Sequence, residues 1–183
     1  MATRKAPIPN SYWVNDHLLA GEYPGGYDDR ATRAKLAPLL DAGVRVFIDL
    51  TEHFELRRYD VILQEEAEAR GVTVEYVRMS IRDANVTTVR HMREILAQIE
   101  RHARGKRPTY VHCWGGVGRT GTVVGCHLVD QGHSGDEALA KVARLFATMS
   151  MEKLRNHPDG SPETEAQRAM IRTWKKAPSP ARA

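Results

Sequence analysis

Apolar and polar positions repeat with two different periods along this chain, and each change of period marks an element. "YWVNDHLLAG" places two short extended pieces around Asn15-Asp16, the pattern of a hairpin. "RATRAKLAPLLDAG" has helical spacing up to Gly43, and its Pro38, which lacks a backbone donor, is expected near a first turn or at a kink. Residues 44–50, "VRVFIDL", form a nearly continuous apolar run of the kind that fills a buried parallel strand. A helix is expected in "ILQEEAEARG" and a further strand in "VTVEYVRM". In "VTTVRHMREILAQIERHARG", Val89, Met92, Ile95 or Leu96, and Ile99 recur at helical spacing opposite a charged face. "PTYVHC", residues 108–113, reads as a strand, and the later "RTGTVVGCHLVDQG" is apolar nearly all round, as a core helix is. Two more helices are marked by their starts. Ser134 and Glu137 stand at capping-box spacing, and Ser161-Pro162 opens "SPETEAQRAMIRTW". The order predicts an α/β fold: a central, mostly parallel sheet flanked by helices, with a cysteine loop between a strand and a buried helix. Three helices and no further strand are expected after that loop.

With 183 residues, 42% of them apolar, the chain can bury one core of ordinary size, so residues 1–175 are expected to be a single domain. Residues 176–183, at the end of "KKAPSPARA", read as a disordered tail. "MATRKAPIPNSYWV" has no apolar signal core, and no run approaches the roughly 20 apolar residues of a membrane span, which predicts a soluble, cytoplasmic protein. Cys113 and Cys126 are too few for a disulfide framework and fit a reducing compartment. The net charge of +4 is the excess of 27 Lys and Arg, spread along the chain, over 23 Asp and Glu, which favours anionic ligands without selecting nucleic acid. None of the eight histidines forms H-x-x-x-H or pairs with a cysteine at zinc spacing, so no metal or other cofactor is expected.

The chemistry concentrates in "YVHCWGGVGRTGTVVG", residues 110–125. Gly116, Gly118 and Gly121 satisfy the dinucleotide pattern G-x-G-x-x-G between a strand and a helix. That fold needs a second strand soon afterwards with an acidic residue for the ribose, and here helix follows helix. The phosphate-loop pattern of nucleotide hydrolases also fails, since Thr122 occupies the lysine position. What remains is Cys113, five residues, then Arg119. A loop of that length, Trp114-Gly115-Gly116-Val117-Gly118, can curl its N–H groups around a tetrahedral oxyanion at a helix N-terminus. Arg119 can close it with two parallel hydrogen bonds, and the same donors favour a thiolate on Cys113. The Thr120 hydroxyl can donate to the sulfur as a cysteinyl-phosphate breaks down. A buried strand-end thiol does not account for these partners in register, and a persulfide carrier does not require the R-T-G that follows.

"HCWGGVGRTG" closely resembles the signature H-C-x-x-G-x-x-R-[ST]-G of the cysteine-dependent protein tyrosine phosphatase superfamily, and the chain is similar to its small dual-specificity-like members over roughly residues 10–175. The resemblance implies a phosphomonoester hydrolase with Cys113 as nucleophile, Arg119 as phosphate clamp, Thr120 as leaving-group helper and His112 as a structural residue that tunes the thiolate. It implies a phosphorylated protein as partner, with phosphotyrosine as substrate and phosphoserine or phosphothreonine alongside it, or a small phosphate ester. Members acting on inositol phosphates or phosphoinositides often carry lysines inside the loop, and "WGGVG" has none. A non-catalytic phosphate-binding module is the other alternative.

In that family a general acid lies about thirty residues before the cysteine, after a strand. Asp83 in "MSIRDANV" fits, although Thr87 and Thr88 stand where the family often has proline. Asn85 could orient Asp83 but is the kind of residue that forms turns. Gln167 resembles a late glutamine that places the attacking water, and can equally be a polar helix residue. His53, Phe54, Arg57, Arg58 and Tyr59 follow the "VFIDL" strand and are expected on the rim, with Glu52, Glu55 and Asp60 as alternative acids. Asp49 is expected to be a structural hydrogen-bonding residue and Cys126 a small apolar core side chain.

Overall fold

In a computed structural model, residues 4–176 are described and form β1 (Ser11–Asn15), β2 (Leu18–Gly21), α1 (Asp29–Asp41), β3 (Val46–Asp49), α2 (Asp60–Ala69), β4 (Glu75–Arg78), α3 (Val89–Arg104), β5 (Thr109–His112), α4 (Gly118–Asp130), α5 (Gly135–Phe146), α6 (Met151–Asn156) and α7 (Glu165–Thr173). The strands make one sheet in the order β1-β2-β5-β3-β4. β1 and β2 are the expected antiparallel hairpin, and every other pairing is parallel. The tail expected over 176–183 lies outside the described residues except for Lys176. No helix among the described residues is long and apolar enough to cross a membrane.

Alternation along the strands divides the core between the two faces of the sheet. Leu19, Phe47 and Tyr110 point to the side covered by α1 and α2, where they meet Leu36, Leu39 and Leu63. Leu18, Ala20, Ile48 and Val111 point to the other side, against Ile95, Val123, Val142 and Ile171 of α3, α4, α5 and α7. Strands buried on both faces read as unbroken apolar runs, which is why β3 and β5 were legible.

Several boundaries differ from the expectation. Pro38 sits ten residues into α1, and the helix continues to Asp41. An interior proline costs about 3 kcal/mol, whereas Leu36, Leu39 and Leu40 are each almost fully buried, at about 1.5–3 kcal/mol apiece. Val89, expected on the apolar face of α3, is exposed at the first residue of the helix, ahead of the buried Met92, Ile95 and Ile99. Among the described residues four helices follow the cysteine loop instead of three; the added one, α6, is six residues long with no fully buried residue. The last helix starts three residues later than expected: Thr164 caps α7 in a capping box with Gln167, while the Ser161 hydroxyl donates to the Val117 carbonyl at 2.7 Å. The capping box of Ser134 and Glu137 forms as read.

Candidate active site

Three parallel pairings align Gly21 with His112, Asp49 with His112, and Asp49 with Arg78, so the strands end together at one edge. That carboxyl edge is where α/β sheets place ligands. The chain leaves it four times, and each exit supplies part of the site: Glu22 and Tyr23 after β2, Glu52 and Glu55 after β3, Asp83 after β4, and Cys113 to Gly118 after β5.

Cys113 and Arg119 are both almost fully buried and line one cleft of about 390 Å³, with Asp83 and the loop residues Trp114, Gly115, Val117 and Gly118 around them. Gly116 is at φ +74°, and a side chain there would lie 2.5 Å from the Gly21 backbone, so the loop rests directly on the end of β2. The Trp114 carbonyl accepts from the Tyr23 N–H at 2.9 Å, while its indole stays exposed at the cleft. α4 begins at Gly118, which puts Arg119 and Thr120 in the first turn of a helix aimed at the cleft.

The Arg119 guanidinium is held from two sides. Nη1 donates to Glu55 Oε2 at 2.8 Å and to the Ile81 carbonyl at 3.2 Å; Nη2 donates to Glu55 Oε1 at 2.6 Å and lies 2.8 Å from Asp83 Oδ1. Nε and the Thr120 hydroxyl are buried without a partner among the described residues. Burial works against the arginine's charge, but hydrogen bonding to Glu55 and the nearby Cys113 and Asp83 raise its pKa above the ordinary value. Glu55 was read as a candidate acid; burial disfavours its charge, yet Arg119 and the Glu52 N–H keep its pKa below the usual glutamate value. Glu52 Oε2 accepts from the Asp83 N–H at 3.4 Å, and Asp60 pairs outward with Arg58.

His112 ends β5 directly before Cys113. Nδ1 is 3.1 Å from the Cys113 carbonyl, an acceptor, so Nδ1 carries the proton and Nε2 accepts from the Tyr59 hydroxyl at 2.6 Å. Burial pushes the pKa of His112 below the ordinary histidine value in spite of nearby Asp49, in keeping with the neutral ring this pattern requires. Tyr59 is therefore not a rim residue: it is buried against Phe47, Tyr76 and His112. His53, Phe54, Arg57 and Arg58, also expected on the rim, are exposed but none of them lines the cleft, and Arg57 pairs with Asp29 at 2.5 Å. Asp49 is the structural residue expected, accepting from the Thr51 hydroxyl and N–H, Tyr76 and Arg78.

Asn85 donates to the Asp83 carbonyl at 2.9 Å inside a turn that includes Ala84 at positive φ. Gln167 is fully buried: Oε1 accepts from the Glu163 and Thr164 N–H groups, and Nε2 donates to the Asn85 carbonyl at 3.2 Å. The amide expected to place water thus caps α7 and ties the Asp83 turn to it, and it stands directly over Gly118. Cys113 and Cys126 are both free, and burial pushes the Cys126 thiol up, as suits a core side chain.

The family model described as PTP-SAK, the Swiss Army Knife protein DSP-PTPase phosphatase domain, matches residues 10–171. The chain belongs to this family. As a DSP-PTPase domain it is a cysteine-dependent phosphatase of the dual-specificity type, and the matched span runs from the residue before β1 into α7. No curated protein matches the chain. Among solved structures it is similar to Tk-PTP in the active form, at 24% identity over 89% of this chain and 94% of that one, with a TM-score of 0.67. The core catalytic domain of the PP-IP phosphatase SIW14 from S. cerevisiae, solved with citrate, is 16% identical over 93% of this chain and 88% of that one, with a TM-score of 0.65. PTPMT1 in complex with PI(5)P is 20% identical over 90% and 93%, with a TM-score of 0.64. At these identities the likeness carries the fold of a DSP-PTPase domain, with the same mostly parallel sheet between helices. The sequence had not indicated the cleft's remaining wall, where Lys35 of α1 and Lys153 of α6 lie beside Glu22. Lys153 had no signal, because the element that carries it was missed.

Proposed function

We propose that this DSP-PTPase domain hydrolyses phosphate monoesters through a cysteinyl-phosphate on Cys113, with no metal, in a single catalytic unit over residues 1–175. The observation that carries the reading is the burial of Cys113 and Arg119 on one cleft floor with Asp83 2.8 Å from the guanidinium. The N–H groups of residues 114–118 and Arg119 hold the equatorial phosphate oxygens. An entering phosphate takes the unpaired Nε–H and displaces Asp83 from Nη2, which frees Asp83 to meet the ester oxygen. The Cys113 thiolate then attacks phosphorus, the bond to the ester oxygen breaks, and Asp83 gives that oxygen its proton. Water attacks the intermediate next and passes a proton to Asp83. The phosphorus–sulfur bond breaks, Thr120 donating to the departing sulfur, and inorganic phosphate leaves. Gln167 acts by position, between the Asp83 turn and Gly118. Two free cysteines suit a reducing compartment such as the cytoplasm.

The finer substrate reading starts from phosphotyrosine, with dual specificity, as the signature implies. A specific observation favours a second, small-molecule reading: the loop has no lysine, yet two lysines enter the cleft wall from outside it. The neighbouring proteins named above include a PP-IP phosphatase and one bound to PI(5)P, which fits that reading.

The direct test is Cys113→Ser. A hydroxyl at its free pKa is a poor nucleophile, so turnover of p-nitrophenyl phosphate is expected to fall below detection while vanadate or phosphate still binds. Turnover within about tenfold of wild type would remove Cys113 from the mechanism.

A further inference from the structure

One carboxylate in the cleft wall faces two ammonium groups. Glu22 Oε1 lies 3.0 Å from Lys35 Nζ, and Oε2 lies 3.1 Å from Lys153 Nζ. Asn10 Nδ2 also donates to Oε2 at 2.9 Å. Burial works against Glu22's charge, but the two lysines outweigh it and hold its pKa below the usual range, so Glu22 is ionised and the trio carries one net positive charge.

Each ammonium has three N–H donors. Lys35 uses one on Glu22 and one on the Tyr23 carbonyl at 3.3 Å. Lys153 meets only Glu22 among the described residues, although its side chain is just 15% exposed. A lysine this enclosed with unused donors, on the wall of the cleft that holds Cys113, is arranged for an anion. A tie between elements would need one lysine and would leave no excess charge.

The surrounding structure fixes this geometry. Asn10, which orients Glu22 through Nδ2, accepts the Ser150 N–H on its Oδ1 at 3.2 Å. Ser150 is the N-cap of α6, and its hydroxyl accepts from the Lys153 N–H at 3.2 Å. The same asparagine thus sets both the carboxylate and the turn that delivers Lys153.

We propose that Lys35 and Lys153 form a subsite for a second phosphate, so that the preferred substrate is a small bisphosphorylated molecule whose other phosphate sits in the Cys113 loop. A cleft of about 390 Å³ is of small-ligand size. This rests on the phosphatase reading above and deepens it.

The test is competition against p-nitrophenyl phosphate by fructose 6-phosphate and fructose 1,6-bisphosphate, which share a skeleton and differ by one phosphate. The inhibition constant is expected to be about tenfold or more lower for the bisphosphate, as a charge-assisted pair of contacts allows. Lys153→Gln, and separately Lys35→Gln, should shrink that ratio about tenfold. Glu22→Gln should enlarge it, because both ammonium groups are released toward the second phosphate. Inhibition constants do not depend on how much of a variant is folded, so partial misfolding leaves the ratio readable. A ratio near one in the wild type, or Lys153→Gln and Glu22→Gln moving it in the same direction, overturns the subsite. A doubly phosphorylated peptide that outcompetes the sugar bisphosphate with the same lysine dependence overturns the small-molecule assignment. If the wild type does not turn over p-nitrophenyl phosphate, the phosphatase reading fails instead, and calorimetric binding of the two sugars tests the subsite by the same ratios.

Discussion

Arg119 has five N–H donors, and three of them donate to Glu55 and the Ile81 carbonyl, while Asp83 forms an ion pair with Nη2 at 2.8 Å. The two carboxylates differ in kind. Glu55 is clasped edge to edge by both terminal nitrogens and lies partly enclosed, whereas Asp83 touches one nitrogen and its side chain is 60% exposed. An exposed one-point contact exchanges easily for a substrate oxygen, and a paired one does not. The division of labour has a kinetic signature. Asp83→Asn is expected to cost about 10²–10⁴-fold, with the largest loss on an alkyl ester such as phosphoserine and the smallest on p-nitrophenyl phosphate, whose leaving group needs least help. On the proposed mechanism Glu55→Gln should slow all esters by a similar factor, because it loosens the arginine proposed to contact the phosphoryl group whatever the leaving group. Measuring kcat/KM over a series of leaving groups separates them: a steep dependence in Glu55→Gln and a flat one in Asp83→Asn would exchange the two roles.

At the scale of elements, two glycines of the apparent dinucleotide fingerprint, Gly118 and Gly121, have another cause, which they share with Gly125. A side chain at Gly118, Gly121 or Gly125 would meet Gln167 at 2.9 Å, the Ser161 hydroxyl at 2.1 Å, or Ile171 at 2.2 Å. They form a stripe on α4 that lets α7 and the turn before it approach the Cys113 loop. Gly125→Ala is therefore expected to destabilise by about 1–3 kcal/mol through overpacking. In an Ile171→Ala background that penalty should largely vanish, since the blocking atoms are gone; urea unfolding of the four proteins reads the coupling. Equal penalties in both backgrounds would mean that α7 does not press on this stripe. The loop itself was legible because its residues are consecutive and β5 and α4 announce themselves by unbroken apolarity. The clasp of Arg119 by Glu55 joins residues 64 positions apart and leaves no periodic trace. Tyr59 read as a rim residue because its pairing with His112 spans 53 positions, and α6 escaped because none of its residues is fully buried to mark a face. Ser161-Pro162 imitated a helix start, while the true cap, Thr164 with Gln167, carried the same kind of signal three residues on.

Among the described residues three histidines are buried, His102, His112 and His127, and burial pushes the pKa of each below the ordinary value. The His127 bonding pattern makes the reason explicit. Asn15 Oδ1 already accepts from the His17 and Leu18 N–H groups, so the group 3.3 Å from His127 Nε2 is the Asn15 amide donor, and the ring must accept from it in neutral form. A lowered pKa means that the unfolded chain binds a proton below about 6.5 that the folded chain refuses. Unfolding then takes up protons, and stability falls as pH drops below that value. Glu22 and Glu55 act later: their pKa values are depressed in the folded state, so their contribution stays intact down to about 4.3 and is lost only below it. Acid should therefore destabilise the protein in two stages, a shallow one starting near pH 6.5 and a steep one below about 4.3. Each histidine that remains neutral in the folded state contributes up to about 1.4 kcal/mol per pH unit to the first stage. His127→Gln keeps an acceptor for Asn15 without a titrating ring, so the slope of unfolding free energy between about pH 6 and 5 should fall. The measurement is urea unfolding across that range, and an unchanged slope would show that folded His127 accepts the proton and the Asn15 contact gives way.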